Sequence, residues 1–187
     1  MQLDIGAGDG RFVLEAAQRS PDIFHIAIDA AASQMAESAG KAVRRRLDNV
    51  LFVQASVERL PPELAGLADR TTVNFPWGSL LTAVATPDPA ILSAIAGLGR
   101  AGAGLTMLIN MSVFDDAAYC AKLGFPSPPI FADADGTRAA FRQAGLQVTR
   151  FSPDVADVPY RTTWGQRLTK GAQRRVLQLD AVITGQR

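Results

Sequence analysis

The chain has 187 residues, a formal net charge of +1 at pH 7, 48% hydrophobic residues and a single cysteine, Cys120. This length supports one domain with a substantial core, and the near-neutral charge confines any nucleic-acid contact to local basic clusters. One cysteine excludes an internal disulfide and a cysteine-rich zinc site, and no apolar run reaches the length of a membrane span. We expect a cytoplasmic protein that acts as a monomer, without metal and without membrane contact.

Short β-like runs alternate with helix-like segments over the first two thirds of the chain. Strands are expected at residues 2–5, 24–29, 50–54, 71–75 and 105–111, and helices at 11–19, 33–46 and 89–100. The strands are apolar on both faces, which predicts a doubly wound α/β fold with a parallel sheet and ligands at the carboxyl ends of the strands. In the last third, a helix at 137–144 precedes strands at 146–151 and 176–184, an antiparallel pair that closes one edge of the sheet.

The segment DIGAGDGR, residues 4–11, joins the first strand to the first helix. Its glycines at 6, 8 and 10 permit positive φ angles and let a ligand approach the backbone. The segment lacks the Lys-Ser/Thr pair of a phosphate-binding loop, and Arg11 stands where a dinucleotide motif has its third glycine. A nicotinamide cofactor is therefore disfavoured.

Acidic side chains surround this loop. Asp29 ends the second strand, where nucleotide-binding folds place a carboxylate for ribose hydroxyls, and a simple helix cap is the alternative. Asp4 and Asp9 flank the glycines, so they would repel a pyrophosphate and attract an amine. These charges suit S-adenosylmethionine, which carries an amine and a sulfonium but no phosphate. The loop and Asp29 together predict a methyltransferase.

The loop QASVERLP, residues 54–61, follows the third strand and is expected to flank an adenine ring. Ala55 and Ser56 are small enough to admit the ring, and Glu58 or a backbone amide would read its edge. An ordinary loop role for Ser56 is the alternative.

The stretch NFPWGS, residues 74–79, follows the fourth strand, where the methyl donor and acceptor should meet. Asn74 gives a partial match to the Asn/Asp-Pro-Pro-aromatic motif of adenine amino-methyltransferases. Trp77 and Trp164 both stand before a glycine on a predicted loop, and two such rings can hold a flipped base between them. The alternative is that Trp77 is a core residue covering the end of the sheet.

Five segments resemble, in order and spacing, the aminoglycoside-resistance methyltransferases that modify 16S ribosomal RNA at N1 of adenine 1408: DIGAGDGR, IAIDAAASQM, NVLFVQASVERLPPEL, FPWGSLL and TTWGQRL. FPWGSLL with the later W-x-x-R-L is far more specific than the glycine loop, and the resemblance covers essentially the whole chain. It implies a Rossmann-like class I fold, a seven-stranded and mostly parallel sheet with one antiparallel edge strand, S-adenosylmethionine as donor, and the 30S subunit as partner. It also implies resistance to aminoglycosides such as kanamycin and apramycin.

The same resemblance implies the domain organisation and the roles of particular residues. Residues 1–187 would form one methyltransferase domain without the β-hairpin that relatives usually carry before the glycine loop. Trp77 and Trp164 would stack the target base, and Thr162 would lie near the cofactor and the target. The expected cofactor-binding residues are Asp4, Gly6, Ala7, Gly8, Asp29, Ala55, Ser56, Glu58, Asn74 and Ser79. The expected RNA-binding residues are Lys41, Arg44, Arg45, Arg46, Arg167, Lys170, Arg174 and Arg175.

Alternatives stay open at this point. The run from Lys41 to Arg46 ends a predicted helix, where cations also favour the helix dipole, and the later cluster could be a solvated basic loop. Adenine N1 has an unprotonated in-plane lone pair, so no general base is needed and His25 is expected to be structural. A small-molecule methyltransferase would not need the basic linker, and a non-catalytic RNA-binding relative would not keep the cofactor.

Overall fold

The computed structural model describes residues 1–125, 131, 133–155 and 175–184. Its strands are β1 (Gln2–Ile5), β2 (His25–Asp29), β3 (Val50–Gln54), β4 (Ala68–Asn74), β5 (Gly99–Asn110), β6 (Leu146–Ser152) and β7 (Val176–Ile183). They form a 7-stranded sheet in the order β3-β2-β1-β4-β5-β7-β6. Because β1 to β5 pair with one another only in parallel, the predicted doubly wound, mostly parallel sheet is confirmed.

The helices are α1 (Arg11–Arg19), α2 (Ala32–Arg44), α3 (Gly78–Ala85), α4 (Pro89–Gly97), α5 (Ala117–Leu123) and α6 (Ala134–Gln143), with single 3₁₀ turns at Val57–Arg59, Pro62–Leu64 and Met111–Asp115. The sequence predicts α1, α2, α4 and α6. It does not predict α3, which is apolar around most of its circumference, or α5, which is short and has no buried residue. Within the described residues, no single helix has the length and composition of a membrane span, and only α3 and α4 together, bent by 103°, meet that test.

Two hydrophobic layers lie on opposite faces of the sheet. Side chains of a strand alternate between faces, and β2 shows this directly. Ile26 and Ile28 belong to the large cluster that also contains residues of α3, α4 and α6. Ala27 belongs instead to a smaller cluster with Val13 of α1 and Met35 of α2. Helices therefore cover both faces, as a buried parallel sheet requires.

The final two strands close one edge of the sheet, but the antiparallel strand is not the edge strand. β7 runs antiparallel to both β5 and β6, so it lies one place in and β6 forms the edge. The burial pattern gives the reason. β7 is buried at most positions, whereas β6 exposes Gln147, Thr149 and Arg150, polar side chains that an edge strand tolerates.

The strand order reverses between β1 and β4. From β1 the chain builds outward through β2 and β3, and from β4 it builds in the opposite direction through β5. A reversal of this kind leaves a crevice outside the carboxyl ends of the two central strands, which is where open α/β sheets bind ligands. The glycine loop leaves β1 at this crevice, and the turn containing Trp77 leaves β4 there.

Asn49 joins three parts of the chain at the opposite end of the sheet. This buried side chain precedes β3, and its Nδ2 donates to the carbonyl oxygens of Ala17 at 3.0 Å, Ser20 at 3.2 Å and Ile23 at 3.0 Å. The end of α1, the following turn and the entry to β2 are thereby tied to one amide.

We expect Asn49→Ala to lower the free energy of unfolding by about 2–3 kcal/mol, because buried carbonyl groups would lose their donor. Denaturant unfolding measures the loss. Gln54→Ala is the matched control, since its side chain makes one exposed hydrogen bond, to the Ala30 carbonyl at 3.3 Å. A control variant as destabilised as Asn49→Ala would contradict this account.

Candidate active site

A cavity of about 330 Å³ opens at the carboxyl ends of the central strands. Its wall combines the glycine loop, the end of β2, the loop after β3 and the turn after β4. Every residue expected to bind the cofactor lies on this wall: Asp4, Gly6, Ala7, Gly8, Asp29, Ala55, Ser56, Glu58, Asn74 and Ser79. Trp77 lies on the same wall. The fold thus brings together segments that are up to about 75 residues apart in sequence.

The amide groups of the glycine loop donate within the protein. Gly6 and Ala7 both donate to the Ile28 carbonyl, at 2.9 and 3.0 Å, which fastens the loop to β2. The Gly8 amide donates to Asp29 Oδ2 at 2.8 Å, and the Arg11 amide to Asp9 Oδ1 at 3.1 Å. A phosphate-binding loop needs such amides directed at its ligand. Here they already have acceptors, two of them carboxylates, so this loop is unsuited to a phosphate.

Gly8 lines the cavity, and the space beside its Cα is open. Its φ is +57°, and a Cβ added there would meet no described atom within 4 Å. Gly6 and Gly10 differ, because a Cβ at either would come within 2.7 Å of a side chain, Leu80 and Phe52 respectively. The loop is therefore tightly packed at its two ends and open at its middle.

Asp29 is not the helix cap that the sequence left as an alternative, because the N-cap of α2 is Ala31 and no side chain caps it. Asp29 Oδ1 accepts from the Ala31 amide at 2.8 Å, at the start of α2, while Oδ2 accepts from Gly8. Each carboxylate oxygen has a second lone pair, so both can still accept from ligand hydroxyl groups. These two amide contacts and the ribose-binding role are therefore compatible.

Asp4 is buried where β1 and β4 pair. Its Oδ1 accepts from Thr72 Oγ1 at 2.6 Å and from Asn74 Nδ2 at 2.9 Å. Burial raises the pKa of the Asp4 carboxyl from 3.8 to about 7, against the lowering effect of these two hydrogen bonds, and the nearby Asp29 adds to the rise. The wall of the cavity thus carries a carboxyl group whose ionisation a bound cation would favour.

Asn74 presents an unsatisfied acceptor at the same place. Its amide nitrogen is committed to Asp4, and its Oδ1 is buried without a hydrogen-bond partner among the described residues. A buried acceptor without a donor costs about 1–3 kcal/mol. An N–H donor of a ligand in this cavity would remove that cost.

Glu58 lines the same cavity, on the 3₁₀ turn after β3. Its own backbone amide, and then the Ser56 and Ser79 hydroxyl groups, hold the pKa of the Glu58 carboxyl below its usual value. Glu58 therefore stays ionised near neutral pH.

The turn after β4 is strained. Phe75 has φ +52°, a left-handed conformation that is rare for a bulky residue and costs on the order of 1–3 kcal/mol. Two contacts hold it: its amide donates to the Leu108 carbonyl at 2.7 Å, and its ring packs with Leu108 and Val176. Gly78, with φ +56°, then turns the chain into α3. Strain of this kind concentrates at functional sites.

Trp77 occupies the N-cap position of α3, between Pro76 and Gly78. Its side chain is 41% exposed, so it is not the core residue that the sequence left as an alternative. The indole lies in an edge-to-face contact with Tyr119 of α5, with ring centroids 5.9 Å apart and planes at 71°. Trp77 is thus supported on one side and accessible from the cavity.

The expected RNA-binding residues fall in two places. Arg44, Arg45 and Arg46 are exposed at the end of α2, and Lys41 pairs there with Glu37 at 2.6 Å. Arg44 lies roughly 15 Å along the α2 axis from Gln34, which lines the cavity. Arg175 is exposed before β7 and pairs with Asp115 at 2.6 Å. The remaining expected residues, Thr162, Trp164, Arg167, Lys170 and Arg174, lie outside the described residues.

His25 begins β2, at the end of the strand away from the cavity. It is buried, and burial lowers the pKa of its imidazole. This location agrees with a structural role. In the part of the chain that the structure describes, no group of three or more His, Cys, Asp or Glu side chains could hold a metal ion.

Comparison with known proteins identifies the family. The sequence profile of the NpmA family, described as 16S rRNA (adenine(1408)-N(1))-methyltransferase, matches residues 1–183. The chain belongs to this family. A curated 16S rRNA (adenine(1408)-N(1))-methyltransferase of Streptoalloteichus tenebrarius is 31% identical over 190 residues, covering 97% of this chain and 86% of the relative. The family resemblance inferred from the five motifs is therefore confirmed.

Solved structures of NpmA-family and related resistance enzymes share the fold. The antibiotic-resistance methyltransferase Kmr has 42% sequence identity and a TM-score of 0.79, covering 100% of this chain and 87% of Kmr. The 16S rRNA (adenine(1408)-N(1))-methyltransferase of Catenulisporales acidiphilia has 28% identity and a TM-score of 0.85, covering 100% of this chain and 88% of that enzyme. A single-residue variant of the latter was solved with the cosubstrate SAM, at 27% identity and a TM-score of 0.83, covering 100% and 86% of the two chains.

We expect the Asp4 carboxyl to make the fold less stable as the pH rises. Its pKa of about 7 in the folded protein exceeds the ordinary value of 3.8, so its contribution to stability is greatest below about pH 4 and is lost as the pH rises through 7. Asp4→Asn should remove this dependence and stabilise the protein at pH 8 by up to about 4 kcal/mol, because the shift from 3.8 to about 7 is worth about 1.4 kcal/mol per pKa unit.

Denaturant unfolding of wild type and variant at a series of pH values measures the difference. Asp22→Asn, at an exposed position in the turn after α1, is the control and should leave the profile unchanged. A wild-type minus Asp4→Asn difference that does not change between pH 4 and pH 8 would contradict the raised pKa.

Proposed function

We propose that this protein transfers a methyl group from S-adenosylmethionine to N1 of adenine 1408 in the 16S ribosomal RNA of the 30S subunit, and thereby confers aminoglycoside resistance. Membership of the NpmA family supports the reaction and the target. The observation that supports the proposal for this chain is the wall of the cavity, which combines the buried Asp4 with further acids, an unsatisfied amide acceptor and the exposed Trp77.

The residues present fit S-adenosylmethionine better than a phosphorylated cofactor. Asp29 would hold the ribose hydroxyl groups, and Asp4 with Asn74 Oδ1 would hold the amino acid portion, where an ammonium group supplies both a positive charge and N–H donors. Ala55, Ser56 and Glu58 would surround the adenine. Since the loop amides already donate within the protein, a pyrophosphate would find carboxylates instead of donors.

Bound S-adenosylmethionine would supply a methyl group on a sulfonium, which the in-plane lone pair of adenine N1 can attack without prior deprotonation. The protein then contributes mainly orientation. Trp77 would stack on the extruded base, an interaction worth about 1–3 kcal/mol, and Trp164 with Thr162 would complete the base site. Extrusion costs a few kcal/mol, so two stacking rings are enough to offset it.

RNA docking would use charges far from the reacting atoms. The cluster at the end of α2 would contact phosphates at a distance from the cavity, and Arg175 would contribute a second charge, together with Arg167, Lys170 and Arg174 of the same basic stretch of sequence. The exposed pair between Arg175 and Asp115 is worth only about 0–1 kcal/mol, so a phosphate can replace Asp115. A substrate as large as the 30S subunit suits such a divided surface.

Methyl transfer to purified 30S subunits tests the proposal. We expect incorporation from labelled S-adenosylmethionine and a primer-extension stop at adenine 1408, lost in the presence of S-adenosylhomocysteine. Free nucleosides and metabolites serve as comparison substrates. Methylation of those alone would favour the small-molecule enzyme, and binding of 30S without any transfer would favour a non-catalytic RNA-binding protein.

Trp77→Ala should abolish most methylation while leaving the fold and the cofactor affinity intact. A loss of 1–3 kcal/mol of stacking corresponds to about 5- to 150-fold in rate. Single-turnover methylation measures the rate, and calorimetry with S-adenosylmethionine measures the affinity. Trp77→Phe, which keeps a ring, should retain more activity than Trp77→Ala. If Trp77→Ala instead melts far below wild type, the residue is structural.

A further inference from the structure

Tyr119 contacts the candidate base-stacking ring from outside the cavity. It lies on α5, in the segment between β5 and α6, and its ring meets Trp77 edge to face at a centroid distance of 5.9 Å. Tyr119 does not line the cavity and is partly buried against the main core. Trp77 itself lines the cavity and is 41% exposed, so a base in the cavity can reach its ring.

The helix that carries Tyr119 is anchored at both ends. Asp116 caps its start, with Oδ1 accepting from the Tyr119 amide itself at 2.9 Å. Gly124, with φ +68°, ends it. Cys120 Sγ donates toward the carbonyl oxygens of Val113 and Phe114 at 3.7 Å, which joins α5 to the 3₁₀ turn that follows β5.

Aromatic packing adds a second anchor to this segment. Phe114 meets Phe125 at a centroid distance of 5.2 Å and Phe131 at 6.4 Å, in both cases edge to face. Phe131 is buried in the core. The position of the Tyr119 ring is thus fixed by the body of the protein, although α5 has only 7 residues.

We propose that Tyr119 is a positioning residue: it holds the indole plane of Trp77 in the orientation that stacks the target base. The inference rests on the proposed function, because it assigns Tyr119 a role through Trp77. The indole leaves the backbone at an N-cap residue beside a strained turn, so contacts made by the ring, including the one with Tyr119, set its side-chain torsions. Tyr119 opposes rotation of the indole without occupying the base site.

Replacement of Tyr119 tests this role through catalysis. Tyr119→Leu keeps apolar volume against the core but removes the aromatic ring, and it should lower the single-turnover methylation rate about two- to tenfold, the range expected for one aromatic pair. Affinity for S-adenosylmethionine should not change. Tyr119→Phe, which keeps the ring, should stay within twofold of wild type. Lys122→Ala, exposed on the same helix, is the control.

A spectroscopic measurement tests the same contact without methylation. In a Trp164→Phe background Trp77 is the one remaining tryptophan, and Tyr119→Leu should lower its fluorescence anisotropy and increase quenching by acrylamide, whereas Lys122→Ala should not. This readout is taken on folded protein, checked by thermal unfolding, and Tyr119→Met replaces the leucine variant if that variant melts early.

The outcomes separate the two proposals. Wild-type protein that does not methylate adenine 1408 would overturn the proposed function, while the fluorescence measurement would still decide whether Tyr119 orders Trp77. The positioning role is overturned if Tyr119→Leu keeps the wild-type rate and the wild-type fluorescence. It is also overturned if Tyr119→Phe loses as much activity as Tyr119→Leu, since the ring would then not be the part that matters.

Discussion

The buried Asp4 carboxyl is the constraint on which the site depends. It lies where β1 and β4 pair, at the reversal of strand order, and Thr72 and Asn74 both donate to it. Burying a carboxyl group there raises its pKa to about 7 and costs stability near neutral pH. The same bonds determine which way the Asn74 amide faces, because a nitrogen donating to Asp4 leaves the oxygen without a donor. One unfavourable burial thus organises the ends of both central strands.

The glycine loop shows how charge selects a ligand class. Its backbone resembles loops that cradle phosphates, but the amides donate to Ile28, Asp29 and Asp9. The resulting surface is acidic at its centre and open at Gly8. The shape of the cavity alone would admit many nucleotides. The negative charge of its acidic side chains is therefore what favours a cationic ligand without phosphate.

The turn after β4 connects this polar centre to an aromatic surface. Asn74 ends the strand, Phe75 takes a left-handed conformation fixed by Leu108, and Trp77 follows at the start of α3. Two elements that are distant in sequence determine what this short stretch does: β5 and β7 hold Phe75, and α5 supports Trp77. A strained backbone and a supported ring together give an exposed aromatic group with a defined direction.

Much of this protein can be predicted from local sequence. The alternation of apolar runs with helical segments predicts the doubly wound sheet, because side-chain periodicity is a property of neighbouring residues. The glycine spacing, Asp29 and the FPWGSLL motif indicate the class of site and the family for the same reason, and each residue of the expected cofactor set lies on the cavity.

The tertiary structure decided what depends on residues that are remote in sequence. β7 lies between β5 and the edge strand β6 because β7 is the more apolar of the last two strands and gains more from burial. This follows from comparing the two strands and cannot be predicted from either one alone. The sequence pattern did not predict α3, because a helix that is buried on most sides lacks the polar face by which an amphipathic helix is recognised. Burial where β1 pairs with β4 raises the pKa of Asp4, and hydrogen bonds from Thr72 and Asn74 on the neighbouring strand partly offset that rise. The contact of Tyr119 with Trp77 left no signal in the sequence, because aromatic packing between distant segments follows no spacing rule and exists only when the chain is folded.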